Sequence, residues 1–163
     1  MIRLVKIVGL LLICATAASP QEVGPVTELP IPRYVSLKSS PGNLRRGPSF
    51  SQRIDWVLMR RGMPLRVTAE YDNWRRVVDR DGVGGWVYYT LLSGNRTVIV
   101  DAETLSLHAR PDSRTTEIAR LERGVVARVD ECTEDWCRLV ADGYRGWAPK
   151  GNYWGVEPDE VFD

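Results

Sequence analysis

Histidine is nearly missing from this sequence of 163 residues, with His108 as its one instance. A structural zinc site needs four nitrogen or sulfur ligands, so the chain is poorly supplied for one. No His-Glu-x-x-His, Gly-x-Ser-x-Gly or phosphate-binding loop occurs, which removes the commonest signatures of metallopeptidases, serine hydrolases and nucleotide enzymes. Acidic pairs such as Asp79/Asp81 and Glu134/Asp135 fall in turn-forming stretches, where carboxylates are ordinarily solvated. His108 has no nucleophile assigned beside it. No stretch of ten or more residues repeats its apolar positions every 3.6, so long amphipathic helices are not expected. Strong charge is lacking too: the formal net charge is +1. Neither catalysis nor nucleic-acid binding has a compositional basis, and no cofactor is implied.

The longest apolar run is short and lies at the start. Arg3 and Lys6 precede Ile7–Ile13, and Ala15-Thr16-Ala17 follows. A basic n-region, an h-region too short to span a bilayer and an Ala-x-Ala site predict a cleaved export signal over residues 1–19. Cys14 is preceded by Ile13 rather than a small residue, so lipidation and a stable membrane anchor are not expected. The mature chain is then periplasmic or secreted. It keeps two of the three cysteines, Cys132 and Cys137, which in an oxidising compartment point to a disulfide.

What the sequence has in plenty is short alternating stretches punctuated by glycine. Residues 20–32 hold four prolines and read as an extended tether. Arg33–Lys38, Asn43–Pro48, Pro64–Tyr71 and Trp74–Val78 alternate as strands. Asp72-Asn73 and Asp81-Gly82 are turns, Gly85-Trp86-Val87-Tyr88 opens another strand, and Tyr89–Leu92 reads as one helical turn. The same order recurs. Ser106–Pro111 lies over Asn43–Pro48, Val125–Val129 over Met63–Val67, Trp136 over Trp74, and Gly146-Trp147 over Gly85-Trp86. Repeated short strands with glycine turns predict an all-β chain of two small antiparallel barrels in tandem, over 33–94 and 95–157, with an acidic tail at 158–163.

A barrel of about sixty residues has a marginal core. Trp74, Trp86, Trp136 and Trp147 are therefore assigned to it, since an indole brings much apolar area. The glycines before Trp86 and Trp147 are expected to permit close backbone approach. Cys132 and Cys137 bracket a four-residue hairpin loop, which sets them opposite each other at disulfide distance. The corresponding pair in the first repeat is Glu70 and Arg75.

Gly42-Asn43-Leu44-Arg45-Arg46-Gly47-Pro48-Ser49, Arg61-Gly62, Trp74-x-x-Val77 and Gly85-Trp86-Val87 together resemble the bacterial SH3 (SH3b) domain. Two such units behind a signal resemble the exported tandem-SH3b proteins of proteobacteria. The second departs from the pattern at Ser106, Arg110 and Ala148. Units of this family are often appended to cell-wall peptidases, and no chain remains here for such a domain. The resemblance implies a non-catalytic module that recognises peptidoglycan or its peptides, or an adaptor for an envelope protein.

Aromatic side chains beyond the needs of a core, with arginines nearby, suit a glycan or peptide. They single out Tyr34, Arg45, Arg46, Trp56, Tyr71, Tyr88 and Tyr89 as candidate ligand contacts. Charge is also unevenly placed. Residues 33–94 carry eleven basic and five acidic side chains, and residues 95–163 nine and fourteen. Three readings fit this asymmetry: chance variation of the surface, attraction between the halves, or a first half that faces an anionic polymer.

Overall fold

A computed structural model describes residues 22–163; the predicted export signal lies outside them. The chain forms two seven-stranded antiparallel sheets with the same connectivity. The first contains β1 (Arg33–Leu37), β2 (Gly42–Arg45), β3 (Ile54–Leu58), β4 (Pro64–Tyr71), β5 (Trp74–Val78), β6 (Gly84–Tyr88) and β7 (Leu92–Ser93) in the order β3-β2-β6-β5-β4-β1-β7. The second contains β8 (Thr97–Val100), β9 (Thr104–His108), β10 (Glu117–Glu122), β11 (Val126–Cys132), β12 (Trp136–Ala141), β13 (Tyr144–Pro149) and β14 (Tyr153–Trp154) in the order β10-β9-β13-β12-β11-β8-β14. A single 3-10 turn, Tyr89–Leu91, links β6 to β7. Leu92, expected within that turn, instead begins a short closing strand with Ser93, paired with Leu37 and Ser36. Among the described residues no helix is long and apolar enough to cross a membrane.

Each sheet curls around its own apolar cluster, fed by strands from both of its ends: Leu37, Leu44, Leu58, Leu65, Val67, Val77 and Val87 in the first, Val98, Val100, Leu107, Leu121, Leu139, Ala148 and Tyr153 in the second. That closure makes each an SH3-like barrel. Bulges fall at matching places, at Thr68 and Asp130 on the fourth strand and at Asp55 and Ile118 on the third. Each adds local twist and so helps the sheet bend. Gly85 and Gly146 are where the bend is tightest. A Cβ at Gly85 would stand 2.9 Å from the Arg45 carbonyl oxygen, and one at Gly146 2.8 Å from Leu107 Cβ.

The expected tryptophan core is corrected. All four stand outside both apolar clusters: Trp74 is buried, but against Phe50 and Tyr88, and Trp86, Trp136 and Trp147 are only half-buried. Alternation explains the two closing-strand residues: Val87 and Ala148 point inward, which turns their neighbours Trp86 and Trp147 to the outer face. The interior is small and is filled by leucine and valine.

Cys132 and Cys137 are bonded, with Cα atoms 4.0 Å apart and both side chains buried. Glu70 pairs with Arg75 in the same register, and Glu70 has further partners. The segment read as an extended tether folds back as a small hairpin, bridged at Val23 and Pro30. Its Val26 and Thr27 amides and the Thr27 hydroxyl donate to the Glu70 carboxylate at 3.1, 2.9 and 2.6 Å. The acidic tail likewise packs down. Phe162 exchanges backbone hydrogen bonds with Cys132, and Glu160 pairs with Arg96. By register Cys132 corresponds to Glu70, and Arg96 to Arg33, so the two terminal segments strap equivalent corners of the two barrels.

Side chains also bridge the repeats. Tyr34 meets Trp154 edge to face at 5.0 Å, Thr97 donates to the Gly62 carbonyl at 2.7 Å, and Arg66 pairs with Glu157 at 2.9 Å. Arg80 pairs with Asp101 at 3.0 Å. Both ion pairs run from an arginine of the first repeat to a carboxylate of the second.

Candidate functional site

The seven candidate contacts do not form one site. Tyr34 is buried in the joint between the repeats, with Arg66 and Arg96 over its ring at 5.9 and 5.7 Å. Burial raises its phenol above the ordinary value, with Glu157 adding to the effect. Tyr71 is exposed at the tip of the β4–β5 hairpin, and Trp56 is exposed on the edge strand β3. Neither packs against another aromatic ring among the described residues.

Tyr88 and Tyr89 do come together, with two partners. Tyr88 ends β6, where it is the cross-strand neighbour of Trp74. Its ring lies 5.4 Å from Trp74, 5.3 Å from Tyr89 and 5.0 Å from Phe50, while Phe50 meets Trp74 at 4.9 Å. Phe50 belongs to the loop between β2 and β3 and had drawn no attention in the sequence. Its signal was available: an aromatic residue within a polar loop, absent from the matching place in the second repeat. Phe50 is 65% exposed and Tyr89 47%. The four rings make a ledge whose base, Trp74, is fixed in the barrel and whose upper faces meet solvent.

Arg45 holds the ledge in place. Its Nη1 donates to the carbonyls of Phe50 and Gln52 at 2.9 and 2.7 Å, and its guanidinium lies 5.7 Å from the Phe50 ring. Arg46 instead pairs with Asp55 at 3.2 Å. Together with Arg76, Gly84, Gly85 and Trp86, these residues bound a cleft of about 480 Å³ beside the ledge.

The second repeat lacks the ledge. Register and spacing put Ser113, Pro149 and Lys150 where the first has Phe50, Tyr88 and Tyr89. Among the described residues, the one aromatic ring that Trp136 meets is His108, edge to face at 6.0 Å. His108 takes the place of Arg45, and its Nδ1 lies 3.2 Å from the Thr115 carbonyl oxygen. Ser106 sits two residues away, but its hydroxyl gives its proton to Glu117 at 2.6 Å rather than to an imidazole. Among the described residues no group of three or more His, Cys, Asp or Glu is arranged to hold a metal ion.

Two like barrels in tandem, one bearing an aromatic ledge, define the class as a tandem SH3-like protein. The family model of the bacterial SH3 domain matches residues 38–94 and again 101–155, and the chain belongs to that family. No curated protein matches the chain. Among solved structures it is similar to NlpC2 from Trichomonas vaginalis, at 11% identity and a TM-score of 0.35 over 77% of this chain and 48% of that one. It is also similar to NlpC1 from the same organism, at 10% identity and a TM-score of 0.33 over 80% of this chain and 48% of that one. The chain thus spans about half the length of either.

Proposed function

We propose that this chain is a non-catalytic binding protein of the bacterial envelope, periplasmic or secreted, and that its first repeat recognises peptidoglycan or the peptides within it. Membership of the bacterial SH3 family supports the class, and modules of that family commonly bind peptidoglycan. The observation that carries the assignment to this barrel is the ledge of Phe50, Trp74, Tyr88 and Tyr89. Rings left uncovered by a barrel that is otherwise packed with leucine and valine offer flat apolar faces to a sugar ring or an extended peptide. The second repeat, which lacks those rings, serves as the support.

The experiment is retention on purified sacculi. A Phe50→Ala/Tyr89→Ala variant keeps the fold, because both side chains are exposed, and retention falls about tenfold, as expected when two exposed stacking contacts are removed. Unchanged retention would remove the ledge from the mechanism.

A second reading has its own support. The edge strand β3 exposes Trp56 and Val57, followed by Met59. An apolar, unpaired strand edge is the usual acceptor for a strand of another protein. On this reading the chain is an adaptor for an envelope enzyme or complex, and cross-linking through a photoreactive group at position 57 would trap protein rather than glycan.

A further inference from the structure

We propose that the cleft over Trp86 in the first repeat is a carboxylate-binding subsite that takes a free carboxylate of a bound peptide, with Arg76 as its principal ligand. The proposal deepens the peptide-binding reading above and rests on it. Its basis is a comparison of the two repeats at one position on their outer faces.

Both repeats set an arginine directly across from the closing-strand tryptophan: Arg76 opposite Trp86, and Arg138 opposite Trp147. In the second repeat this face supplies its own anions. Arg138 lies 5.8 Å over the Trp147 ring and pairs with Glu131 at 3.2 Å. Asp130, its side chain almost entirely covered, draws in Arg128 at 2.7 Å, Arg145 at 2.5 Å and Arg138 at 4.0 Å. Three arginines there thus share two carboxylates of the chain's own.

The first repeat has the same frame without the acids. Register places Thr68 at the bulge where Asp130 stands, Ala69 at Glu131, and Gly84 at Arg145. Arg76 therefore loses both carboxylates, and the arginine that covers the face is replaced by a residue with no side chain. Among the described residues, Arg76 makes no ion pair and no side-chain hydrogen bond. The cleft that opens has a single carboxylate in its lining, Asp55, already shared between Arg46 at 3.2 Å and Arg53 at 2.6 Å. Arg45 spends its hydrogen bonds on two carbonyls, which leaves its charge uncompensated.

An arginine set across the strand from a tryptophan, in an open cleft of about 480 Å³ with an excess of positive charge, is complementary to a planar anion. The second repeat shows that planar anion in place as Asp130 and Glu131. The cleft adjoins the aromatic ledge across Arg45, which touches Phe50 on one side and pairs with Trp86 on the other. A peptide laid on the ledge can thus set a terminal or side-chain carboxylate over Trp86. The amides of Gly84 and Gly85 and the Trp86 indole are the local reporters.

The test is a titration of the isotope-labelled full chain, followed by backbone and indole N–H resonances. The probes are a stem tetrapeptide of peptidoglycan with free carboxylates, the same peptide amidated throughout, and inorganic phosphate. The free-acid peptide should shift Gly84, Gly85 and Trp86. Amidation, or the exposed substitution Arg76→Gln, should weaken that binding about tenfold, the usual cost of losing one charge-assisted pair. Thr68→Asp restores the internal carboxylate of the second repeat and should suppress binding without loss of stability. Equal response to the amidated peptide, no effect of Arg76→Gln, or a response to phosphate alone would each overturn the subsite. Retention on sacculi with a silent Gly84–Trp86 face would sink the subsite and spare the ledge. Carboxylate-dependent shifts there, in a chain that sacculi do not retain, would sink the ledge reading and spare the subsite.

Discussion

At Glu70 a carboxylate with no solvent-exposed surface accepts hydrogen bonds from the Thr27 hydroxyl, the Val26 and Thr27 amides and Arg33, whose Nη2 lies at 2.7 Å. Burial alone would push its pKa up. The Thr27 bonds, then Arg33 and the Val26 amide, outweigh that and hold it at about 2, against an ordinary 4.5. A carboxyl whose pKa is lower in the folded chain stabilises it at pH above the unfolded value and loses that effect as pH falls through the folded one. The stability of the first repeat should therefore decline between about pH 4.5 and pH 2. Urea unfolding across that range should show the decline in the native chain and a flattened profile in Glu70→Gln. Glu70→Ala should cost about 3 kcal/mol, because Arg33 and Arg75 then remain part-buried without their anion. In the sequence Glu70 is legible only as the partner of Arg75, at 3.5 Å the more distant of its two arginines. That Thr27 reaches it from 43 residues away depends on where the chain folds back.

The strands and their pairing are the elements most legible in the sequence. Pro64–Tyr71 and Trp74–Val78 stand at their expected bounds, because a half-buried strand writes its period of two directly into the residue order. The Cys132–Cys137 bond follows from that same hairpin register. Reducing it, or substituting both cysteines with serine, should destabilise the second repeat by about 2 kcal/mol, since closing so short a loop removes little chain entropy. A repeat-specific probe such as Trp136 fluorescence should follow this, with the Trp74 environment unchanged. Equal loss in both repeats would mean that the bond acts beyond its hairpin. Which face of a strand is the inside was less legible. Trp86 and Val87 are neighbours of similar apolar character, and the choice between them is made by volume: besides Val87, four leucines and three valines already fill the first barrel. The aromatic ledge shows the converse. Tyr88 and Tyr89 were visible as surplus rings, but Phe50 joins them only through the loop that Arg45 pins down.

For the whole molecule, the joint between the repeats rests on Tyr34 and Trp154, with Thr97 on Gly62 and ion pairs at its margins. Trp154→Ala removes an edge-to-face contact and part of the buried apolar area, at a cost of about 1–2 kcal/mol. The two repeats should then unfold in separate transitions, and small-angle scattering should report a broader range of dimensions. A single unshifted transition would show that the joint does not couple them. The opposite charge of the two halves was evident from composition, but their contacts are few and specific. Most of the excess arginine of the first half stays on its own surface, where Arg76 is the one on which the subsite proposal depends.

The sequence by itself determined the repeat, the strands on either side of the central hairpins, their turns and the cross-strand cysteine pair, because each is a local pattern with period, spacing or glycine as its cause. Tertiary structure decided everything that depends on which surfaces meet. It turned Trp86 and Trp147 outward, folded both terminal segments onto matching corners, placed Tyr34 in the joint and gathered Phe50, Trp74, Tyr88 and Tyr89 into one ledge. It also made the difference between the repeats readable, since only superposed registers show Thr68, Ala69 and Gly84 standing where the other repeat has Asp130, Glu131 and Arg145. Such facts are absent from any one stretch of residues because they depend on volume and proximity, which the folded chain alone defines.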